Sequence, residues 1–269
     1  VFKDVKGRLV VRGDSLILEG AVAELEGGRV AAEARLDGQG NFGLGGGVDD
    51  ANAGAVLAKL GFQEELIEGP LHFQAGVGGQ LVGKRAGRHE GNIELEIGRG
   101  VIRKFPVLAN ILSLMNLSQL LTGRLPDLSR DGLVFDSISA SFSLVDGVAR
   151  TEDFRLQSHA MVLSMLGDID VRNNACDLKV GLHPLVGVDR LVSKIPVVRH
   201  YLEGPEKSVL TMYYLVKGPL TDPKVSAVPL RSLGEGVLGI FKRLLQNPFK
   251  DLGGSPGLPN AQVPEPPSH

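Results

Sequence analysis

The stretch Gly132-Leu-Val-Phe-Asp-Ser-Ile-Ser-Ala-Ser-Phe-Ser-Leu-Val-Asp-Gly147 decides how the chain folds. From Val134 to Leu144, residues Val134, Ile138, Ala140, Phe142 and Leu144 fall on one side and Ser137, Ser139, Ser141 and Ser143 on the other. Asp136 is the one polar residue on the apolar side. A period of two over this length predicts a strand with one greasy and one wet face. Asp146-Gly147 then supplies the residues of a tight hairpin turn. A strand of this kind belongs to a wide antiparallel sheet, and whatever covers its apolar face decides the function.

The same alternation recurs on both sides. Leu16, Leu18 and Val22 alternate with polar or small residues, Gly27-Gly28 turns, and Val30, Ala32, Ala34 and Leu36 follow. Asp37-Gly38 turns again before the glycine-rich strand Asn41–Val48. Leu71, Phe73 and Ala75, then Ile93, Leu95 and Ile97, predict further strands, with a basic loop over Gly83–Glu90 between them. Downstream, Phe154–Gln157, Ala160–Leu166 (Met161, Leu163 and Met165 on one face), Asp177–His183 (Leu178, Val180 and Leu182 on one face) and Val209–Val216 complete the set. Turn signals about every ten residues between short apolar strands read as a meander.

Helical spacing is confined to four places. Ala51–Leu60 carries Val56, Leu57 and Leu60, with Gly61 as its stop. Phe105–Leu121 has a broad apolar stripe and almost no charge, so it is either well buried or lies against lipid. Leu185–Leu202 is broken by Pro196. Pro229–Leu245 sets Leu233, Val237, Ile240, Phe241 and Leu244 on one side, with Arg231, Lys242 and Arg243 carrying positive charge. An apolar face with flanking cations suits a helix that faces a membrane or caps the end of the sheet. Residues 1–247 therefore read as one continuous unit, a meander over 1–99 and a helix-bearing part over 100–247. Residues 248–269, rich in Pro, Gly and Ser, read as a disordered tail.

Composition narrows the function. The 269 residues carry 29 basic and 31 acidic side chains, a formal charge of −2, which argues against a nucleic-acid partner. The first residue is Val1, so the chain reads as a piece of something longer. A single cysteine, Cys176, excludes an internal disulfide and a multi-cysteine metal site. No run of apolar residues is long enough to span a bilayer.

Several short patterns imitate catalytic motifs. Gly38-Gln-Gly-Asn-Phe-Gly43 has dinucleotide-fingerprint spacing, but Leu44-Gly45-Gly46-Gly47 follows where a helix must open. Gly78-Gly-Gln-Leu-Val-Gly-Lys84 has Walker spacing, yet Arg85 replaces the magnesium-binding hydroxyl. Gly253-Gly-Ser-Pro-Gly257 has the spacing of a nucleophile elbow but lies in the proline-rich tail. Asp168 and Asp170 share a strand face near a turn and read as solvated turn residues. The six histidines form no ligand pair, and no catalytic residue, metal or cofactor is expected. The chain reads as non-enzymatic.

From Gly100 to Leu252 the order of segments resembles the C-terminal region of the AsmA-like family, with its YhdP- and TamB-type bridge-like lipid transport proteins. The blocks that carry the likeness are Gly100-Val-Ile-Arg-Lys-Phe-Pro-Val-Leu108, Ile111-Leu-Ser-Leu-Met-Asn-Leu117, Gly132–Phe142, Asp146-Gly-Val-Ala-Arg-Thr151, Ser158-His-Ala-Met161, Gly167-Asp-Ile-Asp170, Lys194-Ile-Pro196 and Gly218-Pro-Leu-Thr-Asp-Pro223. Each is short, but their order is distinctive. The resemblance implies a mainly β fold with a few helices, in which a long curved antiparallel sheet forms an open hydrophobic groove. It implies a periplasmic location in a Gram-negative bacterium, an inner-membrane anchor N-terminal to this segment, and conduction of phospholipid towards the outer membrane. The expected partners are phospholipid acyl chains, a membrane surface and an envelope protein of unknown identity.

On that reading Ile138, Ala140, Phe142, Leu144, Leu156, Met161, Leu163, Met165, Leu178, Val180 and Leu182 line the groove. Methionines suit a mobile ligand because their side chains adapt in shape. The alternative is a periplasmic scaffold or assembly factor for outer-membrane biogenesis, with a filled β-core and no lipid, recruiting its partner through an exposed strand edge.

Overall fold

The computed structural model describes residues 2–59, 66–83, 86–103, 110–111, 132–185 and 211–246. The expected helix Leu185–Leu202 (beyond its first residue), most of Phe105–Leu121 and the expected tail 248–269 lie outside these residues.

The elements among the described residues follow in order: β1 (Lys3–Arg12), β2 (Ser15–Leu25), β3 (Gly28–Leu36), β4 (Asn41–Asn52), α1 (Ala53–Lys59), β5 (Ile67–Glu68), β6 (Pro70–Gln80), β7 (His89–Ile97), β8 (Gly100–Ile102), β9 (Leu133–Phe135), β10 (Ser137–Val145), β11 (Val148–Gln157), β12 (Met161–Asp170), β13 (Ala175–Pro184), β14 (Met212–Pro219), β15 (Lys224–Val228) and α2 (Glu235–Gln246). Twelve strands form one open sheet in the order β1-β2-β3-β4-β6-β7-β10-β11-β12-β13-β14-β15, with antiparallel pairing throughout. The chain thus meanders, except where β5, β8 and β9 leave it to make a separate three-stranded antiparallel sheet.

Register decides which side chains share a face. Leu71, Ile97, Ile138, Leu156, Leu163, Leu182 and Met212 are successive cross-strand partners. Directly opposed residues lie on the same side of a sheet, so one apolar surface runs across all these strands. The β10–β11 hairpin turns at Asp146-Gly147 as expected, with both residues at positive φ (48° and 85°), the geometry that a two-residue hairpin favours.

Two expectations about side-chain facing are corrected. The alternation from Val134 to Leu144 is not one strand: the chain changes sheets at Asp136. Leu133 and Phe135 are buried within the small sheet while Val134 is exposed, so Val134 does not share the face of Ile138. Asp136 stabilises the bend: its N–H donates to the carbonyl of Gln157, and its carboxylate meets Arg99 and His159, each at 3.2 Å. In β2 a bulge between Leu18 and Ala21 shifts the register. Ala21, Ala23 and Leu25 continue the apolar face of Leu16 and Leu18, and Val22, opposite Ala31, turns to the other side.

Ala51–Leu60 contains α1 as the spacing predicts, started by Asn52, whose side-chain oxygen accepts the Ala55 N–H at 2.9 Å. The predicted helix Pro229–Leu245 begins later, as a 3₁₀ turn over Leu230–Ser232 followed by α2. The major hydrophobic cluster joins Leu71, Ile97, Ile138, Leu156, Leu163 and Leu182 of the large sheet to Ile67, Ile102, Leu133 and Phe135 of the small one, with Ala53 and Ile111.

Candidate functional site

All eleven predicted lining residues fall on the same face of the large sheet. Eight of them are buried: Ile138, Ala140, Leu156, Met161, Leu163, Leu178, Val180 and Leu182. Phe142, Leu144 and Met165 are half-buried. Beside them, Tyr214 and Val216 of β14 are also buried. Burial pushes the Tyr214 phenol up to about 12 and raises the Cys176 thiol above its usual range, so both stay neutral at physiological pH.

Towards β1 the same face opens. Phe73, Ala75, Val77, Ile93 and Leu95 are half-buried. Further out, Leu16, Leu36 and Leu44 are exposed, Leu44 at 52 %, and Leu9 and Val11 of β1 reach 65 % and 72 %. Their cross-strand partners are aliphatic as well, with Leu9 opposite Leu18, Leu18 opposite Ala34, and Ala34 opposite Leu44. One apolar surface therefore grades from sealed, between β10 and β14, to accessible, between β1 and β4. The sequence reading placed the lining in the sealed half and passed over this accessible part.

The helix residues Leu233, Val237, Ile240, Phe241 and Leu244 have a different place. Phe241 and Leu233 are buried, and α2 lies on the opposite face of the sheet, against Val162, Leu166 and Tyr213. The Phe241 and Tyr213 rings meet edge to face, 5.2 Å between centroids. Gly181 makes room for this: a Cβ there would come 2.8 Å from the Phe241 ring. Among the described residues no helix is long and apolar enough to cross a membrane.

The motif imitations have plain structures. Gly38–Gly43 spans the β3–β4 turn and enters a strand, where Asp37 accepts the N–H groups of Gln39 and Asn41. Asp168 receives a two-pronged hydrogen bond from Arg150 at 2.7 and 2.9 Å, which holds its carboxyl below the usual range. Asp170 caps the β12–β13 turn through Asn173. Among the described residues no three His, Cys, Asp or Glu side chains come together as metal ligands.

An open antiparallel sheet with a continuous apolar face, uncovered at one end, defines a protein of the AsmA-like β-groove group. Residues 12–225 match the family described as YhdP protein, and the chain belongs to that family. No curated protein and no solved structure matches the chain.

Proposed function

We propose that this segment binds phospholipid acyl chains without catalysing a reaction, as part of an envelope protein that conducts lipid between the inner and outer membranes. The observation that carries the reading is the uncovered apolar surface over β1–β4, continued through β6 and β7. A monomeric soluble protein rarely leaves a contiguous patch of this kind to water. Each methylene moved onto it gains about 0.8 kcal/mol, so ten methylenes of one acyl chain supply about 8 kcal/mol towards leaving a bilayer. The surface offers few directional contacts, which suits a ligand that slides. Placement in the periplasm rests on the family.

Mass spectrometry of the purified chain tests the reading. Wild type is expected to carry phospholipid, and Leu36→Asp with Leu44→Asp to lose it, while Arg35→Asp on the opposite face keeps it. A lipid-free wild type, or equal loading of all three proteins, overturns the proposal. The scaffold reading has its own support in the surface from β10 to β14, where eight of the eleven expected lining side chains are buried and only Phe142, Leu144 and Met165 stay half-buried.

A further inference from the structure

Between β4 and β6, Gly43 faces Gly78 and Gly45 faces Gly76, so the outer side of that ladder carries no side chain over both pairs. On the groove side the pair lying between them is only Gly46 with Ala75. Among the described residues no other ladder of the large sheet opposes glycine to glycine. Opposed side chains are the unit that stabilises a sheet, and glycine weakens the strand it interrupts. The four strands before this seam form a leaf with few other ties. No residue of β1–β4 belongs to either hydrophobic cluster, whose members start at Ala53. The seam is pinned at its two ends, by the Leu81 N–H on the Gly40 carbonyl at 2.8 Å and by His72 on Asp49. Beside it, α1 adds the part-exposed Lys59–Glu26 pair at 2.9 Å, a weak tether.

We infer that the β1–β4 leaf swings about this glycine seam, widening the groove to admit an acyl chain and then closing its aliphatic face on it. The inference rests on the groove reading and names the moving part of the same site. An outward swing brings the outer sides of β4 and β6 together, where side chains would collide and glycines do not. A Cβ at Gly76 would meet nothing within 4 Å, so no close neighbour forces glycine there. What the residue supplies instead is freedom of the backbone to change its curvature. The leaf itself has side chains to hold it together, with Leu16 opposite Leu36, Leu18 opposite Ala34 and Ala34 opposite Leu44. The step in exposure falls at the same place: Leu44 on the leaf is exposed, and its partner Val77 across the seam is half-buried.

Spin labels measure the swing in the full chain, in a Cys176→Ala background. Labels on Val22→Cys and Ser143→Cys span the seam, and labels on Ser143→Cys and Lys224→Cys span an equal five strand spacings, about 24 Å, within the β10–β15 half. All three positions are exposed on the outer face. In the delipidated protein, pulsed electron resonance is expected to give a distance distribution across the seam about twice as broad as the reference. Added dioleoylphosphatidylglycerol should narrow it. Gly45→Val with Gly76→Val should narrow the lipid-free distribution to the reference width, with circular dichroism unchanged. Gly76→Val alone, placed in open space, should narrow it in part and serves if the pair does not fold. Ser226→Val, away from the seam, should leave the breadth as it was. Equal widths for the two label pairs, valine variants as broad as their parent, or bound lipid without narrowing overturns the inference. A chain that takes up no lipid yet keeps the glycine-dependent breadth overturns the groove reading alone and upholds the swing.

Discussion

Phe241→Ala isolates the docking of α2 from the stability of the sheet beneath it. The Phe241 ring is fully buried against Val162, Leu166 and Tyr213. Truncating a buried phenylalanine to alanine costs about 3–5 kcal/mol, and that includes an edge-to-face contact worth about 0.5–1.5 kcal/mol. The twelve-residue helix cannot hold itself together, since isolated helices of that length are marginal in water. Most of the loss should therefore appear as local undocking. At 1.4 kcal/mol per tenfold, amide exchange across residues 235–246 should accelerate by about two to three orders of magnitude. Amides of β10–β13 should keep their protection. Hydrogen exchange read by mass spectrometry or NMR resolves the two regions. Unchanged protection of α2 would refute the packing argument and leave its apolar side free for a membrane. Equal loss in helix and strands would show that α2 and the sheet form one cooperative unit.

Ser164 is fully buried beneath α2 and its hydroxyl has no hydrogen-bond partner. Ser164→Ala should therefore leave stability unchanged or raise it by about 1 kcal/mol in a denaturant titration, and a loss of that size would contradict it. Burial holds the His183 imidazole below its ordinary pKa. The unfolded chain then takes up this proton first, so stability should fall as pH drops from about 6.5 towards the folded value. His183→Gln should flatten that slope, and an unaltered slope would assign it elsewhere. Phe135→Ala, in the edge strand β9 of the small sheet but fully buried, should cost about 3–5 kcal/mol by thermal or chemical unfolding. A cost below about 1 kcal/mol would mean that the small sheet contributes little to the main core.

The strands were legible in the sequence wherever one face is polar. The serines of β10 and the glutamates of β7 (Glu94, Glu96) mark the wet side without ambiguity. Three features were illegible for identifiable reasons. β9 has only three residues, too few to report its own phase, so it reads as the start of β10 and only Asp136 marks the break. The bulge in β2 reverses the phase in mid-strand, and a period-two reading carries the wrong residue, Val22, across it. β1, a sheet edge exposed on both faces, shows a charged and irregular pattern with nothing to distinguish it from a loop.

The placement of α2 has a signal in the strand that it covers. Met161-Val-Leu-Ser-Met-Leu166 is apolar at both phases, as expected of a strand covered on both sides. Val162 and Leu166 were thus announcing a second contact surface. Likewise Leu36 and Leu44 alternate as cleanly as Leu178 and Leu182, and local pattern does not say which of them is left open to water.

The meander has a consequence for how the molecule comes apart. Nearly every ladder in the large sheet joins segments adjacent along the chain, the β4–β6 and β7–β10 pairings being bridged by the excursions through the small sheet. Cohesion of that sort is a sum of neighbour terms, as in a solenoid, so the protein should melt strand by strand from its thinly covered β1 side inward. A single melting temperature would average over that progression, while probes placed in β2 and in β13 would report two different ones.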